Sequence, residues 1–241
     1  MRQSVPVLQQ TELSKNKESV RYMNGSVYNE FFDVTNIVNA TFLTTPATMG
    51  KNERLIFDMF KDSVTVNFVC YEKYDDVLAA SGPLPNGVQR IKGDIWDVED
   101  LQKFDVIVND ILVCTLEVPT LIDQINRFFT GREKPGIYSV ELSRHGKRGD
   151  KVCETVIEEM IDACPSVRLI GAAPYACGPD NRPGPAGVLI YSNVDLPPVL
   201  KCIQKDLAES GRTVAGEWFA QDRAGRDLPT YYVEHINNRN G

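Results

Sequence analysis

Between Val64 and Asp110 the chain carries three β-rich runs, and each ends in an acid. VTVNFVCYE closes on Glu72, VQRIKGD closes on Asp94, and FDVIVND closes on Asp110. Val, Ile, Tyr and Phe dominate these runs, the composition of strands buried in a sheet. Stretches compatible with short helices separate them, around Lys73–Ser81 and Asp97–Lys103. Strand and helix in alternation predict a mainly parallel, twisted sheet with helices over both faces. Such a sheet collects ligands outside the carboxyl ends of its strands, which is where these three acids fall.

The first strand of a sheet of this kind commonly runs into a glycine-rich turn, where a phosphate or similar group approaches the backbone. No glycine lies between Gly50 and Gly82. With VTVNFVCYE as the first strand of the α/β part, the acids of a nucleoside site are present and the glycine turn beside them is absent.

The remaining chain divides into three parts. Residues 1–18 are polar and rich in Gln, Lys and Ser, and read as a flexible arm, either a mobile tail or one that docks on a partner. Residues 19–61 read as a β-hairpin region, with a turn at Asn24-Gly25, followed by a short amphipathic helix. That helix, Asn52–Lys61, places Leu55, Ile56, Met59 and Phe60 at helical spacing. Residues 62–241 form the α/β domain. Beyond Asp110 its pattern gives helices at Val118–Phe129, Asp150–Ala163 and Pro197–Ser210. Strands alternate with them at Gly136–Leu142, Val167–Ala172 and Gly187–Ser192, with a Pro/Gly-rich loop over 173–186.

Composition narrows the function classes. A net charge of −7 argues against a general nucleic-acid binder. The cysteines, Cys70, Cys114, Cys153, Cys164, Cys177 and Cys202, form no CxxC pair and so no zinc framework. Unpaired cysteines of this kind fit the cytoplasm, another reducing compartment or an organelle matrix. His145 and His235 are the only histidines and lack partners at ligand spacing, so no metal site is expected. No run approaches the roughly 18 to 20 apolar residues of a membrane span, and the N-terminus lacks the apolar core of a secretory signal.

Five residues are candidates for chemistry. Glu72, at a strand end, suits a pair of ribose hydroxyls, because one carboxylate accepts two hydrogen bonds, or else is an exposed strand-end charge. Asp94 suits an adenine amino group, or else caps a helix. Asp110 suits a general base, since apolar walls push a carboxyl pKa upward, or else is a turn acid. Tyr175 and Tyr232 offer ring faces and polar tips to a substrate, or else pack at an interface.

Taken in order, these pieces resemble the spermidine synthase family, aminopropyltransferases that use decarboxylated S-adenosylmethionine. The resemblance runs from about residue 19 to 238. The family opens with a β-hairpin domain and a short helix, as 19–45 and 52–61 do here. Its Cys-Glu ribose pair is matched by Tyr71-Glu72, its Gly-Asp at the adenine by Gly93-Asp94, and its Phe-Asp-Val-Ile strand with the catalytic acid by Phe104 to Asp110. Its Pro-x-Tyr-Pro-Ser-Gly loop is echoed by Ala173–Gly178, and its closing Tyr-Tyr segment by Tyr231–His235. The chain departs from the family in lacking the first strand and its glycine loop. Ile111-Leu112-Val113 also replaces the family's Ser-Ser-Asp-Pro segment at the amine site.

The resemblance implies a Rossmann-like, S-adenosylmethionine-methyltransferase-like α/β fold with a small N-terminal β-hairpin region. With those departures, it implies first a catalytically inactive accessory or structural subunit, with protein partners or self-association and no cofactor. The alternative is an active aminopropyltransferase with decarboxylated S-adenosylmethionine as co-substrate. Asp110 would then deprotonate an amine such as putrescine. A third reading is a methyltransferase-like nucleoside-binding protein.

Overall fold

A computed structural model describes residues 18–45, 51–80, 87–113, 117–143, 167–175 and 186–197. The arm over residues 1–17, the helix expected over Asp150–Ala163, and Tyr232 with its neighbours in Tyr231–His235 lie outside the described residues. So do 176–185 of the expected loop and 198–210 of the last expected helix.

The N-terminal segment corrects the hairpin reading. Residues Glu18–Thr35 form one helix, α1. Val27, Tyr28, Phe31 and Phe32 lie at helical spacing and are all buried. Asn36 ends the helix at φ 55, a left-handed position that asparagine tolerates, and its N–H donates to the Phe32 carbonyl at 2.8 Å. Gly25 lies inside α1 and makes no turn. A Cβ there would stand 2.6 Å from the Met59 sulfur, so the missing side chain lets a second helix come close.

Strand β1 (Asn39–Thr45) follows and is an interior strand, third from one edge of a seven-stranded sheet. Then come α2 (Lys51–Phe60), β2 (Thr65–Glu72), α3 (Asp75–Ala80), β3 (Val88–Lys92), β4 (Val106–Val113), α4 (Val118–Phe129), β5 (Ile137–Ser143), β6 (Arg168–Tyr175) and β7 (Ala186–Ser192). The strand order is β3-β2-β1-β4-β5-β7-β6. The first five strands are parallel, and β7 runs antiparallel between β5 and β6. The expected mainly parallel sheet is therefore present.

The first strand, thought absent, is also present. β1 was hidden in the presumed hairpin, and it pairs with β2 from Asn39↔Thr65 and with β4 from Phe42↔Val106. The segment joining it to a helix is 46–50, which ends in Gly50. The boundary expected at residue 62 falls in the turn between α2 (Lys51–Phe60) and β2 (Thr65–Glu72), and β1 and β2 on either side of it pair in one sheet.

Strand alternation sorts the core into two layers. Phe42, Phe68, Val106 and Val108 pack with α1 and α2 on one face. Leu43, Ile107, Tyr138 and Val140 pack with α4 on the other. Each buried phenylalanine contributes roughly 1.5–3 kcal/mol, and the edge-to-face pairs Phe32–Phe60 and Tyr28–Phe42 lock α1 and α2 onto β1. Pro119, in the first turn of α4, starts that helix with its φ already set. Among the described residues no helix is long and apolar enough to cross a membrane.

Two other expectations shift. The helix expected over Asp97–Lys103 is a 3-10 turn at Ile95–Asp97, because the Asp94 side chain caps Trp96 N–H and the extended Val98 ends the winding. β4 does not stop at Asp110 but runs on to Val113.

Candidate functional site

The strand order reverses at β1, whose neighbours β2 and β4 lead outward in opposite directions. A crevice forms there outside the carboxyl ends. Thr45, the last residue of β1, is level with Asn109 of β4, and Thr44 is level with Cys70 of β2. The carboxyl edge on either side of β1 is built from Thr44, Thr45, Cys70, Glu72, Asn109 and Asp110.

Glu72 ends β2 and is 2% exposed. Its Oε1 accepts the Tyr74 backbone N–H at 2.9 Å, which fixes the carboxylate at the strand end. Its carbonyl accepts the Gly93 N–H at 3.1 Å, so the turn after β3 is tied to it. Asp110 is 4% exposed, one residue beyond Asn109. By alternation Glu72, Cys70 and Thr44 belong to the α2 face of the sheet, while Asp110 lies where the register of β4 shifts. Two of the sequence-predicted acids therefore lie on the strands that flank β1, both buried.

Asp94 sits differently. Its Oδ2 takes the Lys73 ammonium at 2.6 Å and its Oδ1 takes the Trp96 N–H at 3.4 Å. The Lys73 pKa is raised by its hydrogen bond to Asp94 and by the charge beside it. Asp94 thus acts as cap and ion-pair partner for the β3 turn. Tyr175 ends β6, at the same edge of the sheet but three strands beyond β4. At roughly 4.8 Å per strand, that places its backbone ~14 Å from β4.

Two buried polar groups beneath this edge were missed in the sequence. Glu53, in the first turn of α2, is fully buried and accepts the Thr44 hydroxyl at 2.5 Å and the Cys70 thiol at 3.3 Å. Burial, and after it the Glu53 charge, push the Cys70 thiol well up, so it keeps its proton and donates. The signal was there: Glu53 is in phase with Ile56 and Phe60 on the buried stripe of α2.

The second group is a chain of hydrogen bonds on the α4 face. Gln124 of α4 donates from Nε2 to the Ile95 carbonyl at 2.7 Å. The Tyr138 hydroxyl donates to Gln124 Oε1, and Asn109 Nδ2 donates to the Tyr138 oxygen at 3.2 Å. Burial raises the Tyr138 hydroxyl far above its ordinary pKa, so it remains a donor. Gln124 also lies in phase with an apolar stripe, Leu121, Ile125 and Phe128. A polar residue in a buried stripe is the trace both groups leave in a sequence. Among the described residues, no cluster of three or more His, Cys, Asp or Glu could hold a metal ion.

No protein-family model matches the chain, and no curated protein does. Solved structures do match. A probable spermidine synthase from Corynebacterium glutamicum aligns with a TM-score of 0.57 at 14% identity, covering 78% of this chain and 70% of that one. The plantazolicin methyltransferase BpumL in complex with SAH aligns with a TM-score of 0.53 at 8–9% identity, covering 77–78% of this chain and 88–89% of that one. A putative class I S-adenosylmethionine-dependent methyltransferase from Listeria monocytogenes aligns with a TM-score of 0.50 at 10% identity, covering 75% of this chain and 61% of that one. At such identities the likeness is one of fold. The chain has the Rossmann-like fold shared by S-adenosylmethionine-dependent methyltransferases and a spermidine synthase.

Proposed function

We propose that the chain binds an adenosine-containing sulfonium nucleoside of the S-adenosylmethionine class across the carboxyl edge of β2, β1 and β4, and transfers a group from it. The observation that carries this reading is the placement of Glu72 and Asp110: both are buried acids, on the strands either side of β1 where the sheet order reverses. Glu72 takes the ribose hydroxyls, and its carboxylate is already aimed by the Tyr74 N–H. Asp110, on the far side of β1, receives the proton of the attacking nucleophile. The bound nucleoside supplies an electrophilic carbon on sulfur.

Finding β1 removes one of the two departures that favour reading the chain as a relic, the missing first strand. The aminopropyl version has less support than methyl transfer, because β4 continues as strand through Ile111–Val113, where a diamine site would need polar groups. A second reading, an accessory subunit that has kept only the scaffold, is favoured by Asp94, whose carboxylate is engaged by Lys73 and Trp96. In that reading the chain acts through protein partners or a second copy of itself.

Calorimetric titration with S-adenosylhomocysteine and methylthioadenosine separates the two. Micromolar binding of either by wild type, weakened in Glu72→Gln, is the expected result. No heat of binding from a folded sample would overturn the nucleoside reading and leave the accessory one. Preference for methylthioadenosine with the decarboxylated co-substrate would restore aminopropyl transfer.

A further inference from the structure

An adenosine nucleoside has its ribose in the middle, with the base on one side and the sulfur-bearing carbon on the other. In the reading above the ribose lies at Glu72 on β2, and the transferred group faces Asp110 on β4. The sheet order there is β3-β2-β1-β4. A ligand that reaches from β2 toward β4 with one end therefore carries its base the other way, over the end of β3. Neighbouring strands lie roughly 4.8 Å apart, less than the length of a purine, so the base covers whatever stands at that end.

What stands there is an ion pair. Glu72 is level with Lys92, the last residue of β3, and its carbonyl accepts the Gly93 N–H at 3.1 Å, so the chain leaves the two strands side by side. Lys73, the first residue beyond β2, then meets Asp94, the second beyond β3, with Nζ 2.6 Å from Oδ2. The other oxygen, Oδ1, takes the Trp96 N–H at 3.4 Å. The Lys73 side chain is 61% exposed and that of Asp94 22%. The acid is set into the edge and the ammonium reaches it from solvent. A base amino group and an ammonium both seek the lone pairs of that one carboxylate.

We propose that Lys73 is a latch on the base niche: its ammonium competes with an amino-bearing base for Asp94, and so sets how strongly the protein favours a base that carries an amino group. The proposal rests on the nucleoside reading above. It turns the engagement of Asp94, which speaks for an accessory subunit, into the closed state of a working site. An exposed ion pair shifts an equilibrium by no more than about fivefold. A hydrogen bond to a freed carboxylate is worth about tenfold or more. The base therefore displaces the lysine, at a cost in affinity. That cost falls as salt screens the pair.

Two uncharged probes test this: methylthioadenosine, and its purine counterpart that lacks the amino group. Both are titrated by calorimetry into wild type and Lys73→Met. Matching urea midpoints check that the variant folds, as the exposure of Lys73 leads one to expect. Lys73→Met should bind methylthioadenosine about two- to fivefold tighter and the purine counterpart no tighter. In wild type, raising sodium chloride from about 20 to about 500 mM should strengthen methylthioadenosine binding toward the value of the variant, whose own affinity stays level. A lysine that serves only the fold would give no such salt response with an uncharged ligand. Unchanged or weaker methylthioadenosine binding by Lys73→Met overturns the proposal. An equal gain for both probes also overturns it, since Lys73 would then obstruct by bulk alone. So does a salt response that the variant shares. If neither folded protein binds methylthioadenosine or S-adenosylhomocysteine, the nucleoside reading itself fails, and the latch with it.

Discussion

Two buried polar constructions sit at opposite ends of the sheet, and they are finished differently. At the amino edge, Arg132 donates to the carbonyls of Gln102 at 3.1 Å, Phe104 at 2.8 Å and Pro135 at 2.7 Å. Its guanidinium also lies 4.3 Å from the Phe128 ring centroid and 4.0 Å from Asp105. Burial lowers its pKa to about 10, with Asp105 pulling the other way, so it stays charged at neutral pH. Asp105 is in turn used by Lys134 and by the Thr41 N–H. Donors and acceptors here meet one another. At the carboxyl edge, the chain from Ile95 to Asn109 ends on an acceptor without a donor among the described residues. A closed network serves the fold. An open one, at the edge where such sheets bind ligands, leaves an acceptor for the ligand of the proposed function.

The largest expected effect breaks the closed end. Arg132→Met keeps volume but strips three carbonyls of their donor, and each unpaired buried carbonyl costs roughly 1–3 kcal/mol. A loss of about 3 kcal/mol or more should appear in urea denaturation. A loss under ~1 kcal/mol would show that water replaces the guanidinium easily, and the contrast between the ends would weaken. Next in size, Glu72→Gln should reduce S-adenosylhomocysteine affinity about tenfold or more while hardly moving the denaturation midpoint. A hydrogen bond to a charged group contributes about 1.5–3 kcal/mol, and a neutral amide gives up most of that. A large stability loss with unchanged affinity would make Glu72 a structural residue like Arg132.

The open chain should respond between these. Tyr138→Phe removes the hydroxyl that links Asn109 to Gln124 and should cost about 1.5 kcal/mol, read from the same urea curves. The contrast sharpens if adding S-adenosylhomocysteine raises the wild-type midpoint more than that of Tyr138→Phe. Equal ligand-induced shifts would mean that the chain is only a packing device.

What could be read from the sequence follows from how each feature is encoded. β2, β3, β4 and α4 announced themselves because their patterns are local: an apolar run, an acid at its end, a stripe at helical spacing. Glu72 and Asp110 were singled out by that rule, and they lie on the strands either side of β1. The segment 19–45 was misread because Asn24-Gly25 is a strong turn signal and SVYNEFFDV mixes polar and apolar residues. Only the contact with Met59 reveals that Gly25 serves a helix crossing. Misplacing that one segment hid β1 and made a complete sheet look truncated. Asn109, Tyr138 and Gln124 were illegible as a unit, since residues 109, 124 and 138 meet only through tertiary packing. Tyr232 falls outside the described residues, and Tyr175 lies strands away from the acids it was grouped with.

The smallest effect concerns the far end of α2, the helix whose first turn carries Glu53 to the carboxyl edge. Gly25→Ala should gain about 1 kcal/mol of helix propensity in α1. It must also displace the Met59 thioether, which lies within 2.6 Å of the added carbon. Moving a flexible methionine off its rotamer costs of order 0.5–1.5 kcal/mol, so the net change should stay within about 0.5 kcal/mol. The two contributions separate in a double-mutant cycle with Met59→Ala, where the steric cost vanishes and the propensity gain should emerge. Additive behaviour would mean that the helices do not press on each other there. Coupling in stability without any change in nucleoside affinity would show that α2 transmits nothing from its far end to Glu53, and that the carboxyl edge is set by its own local bonds.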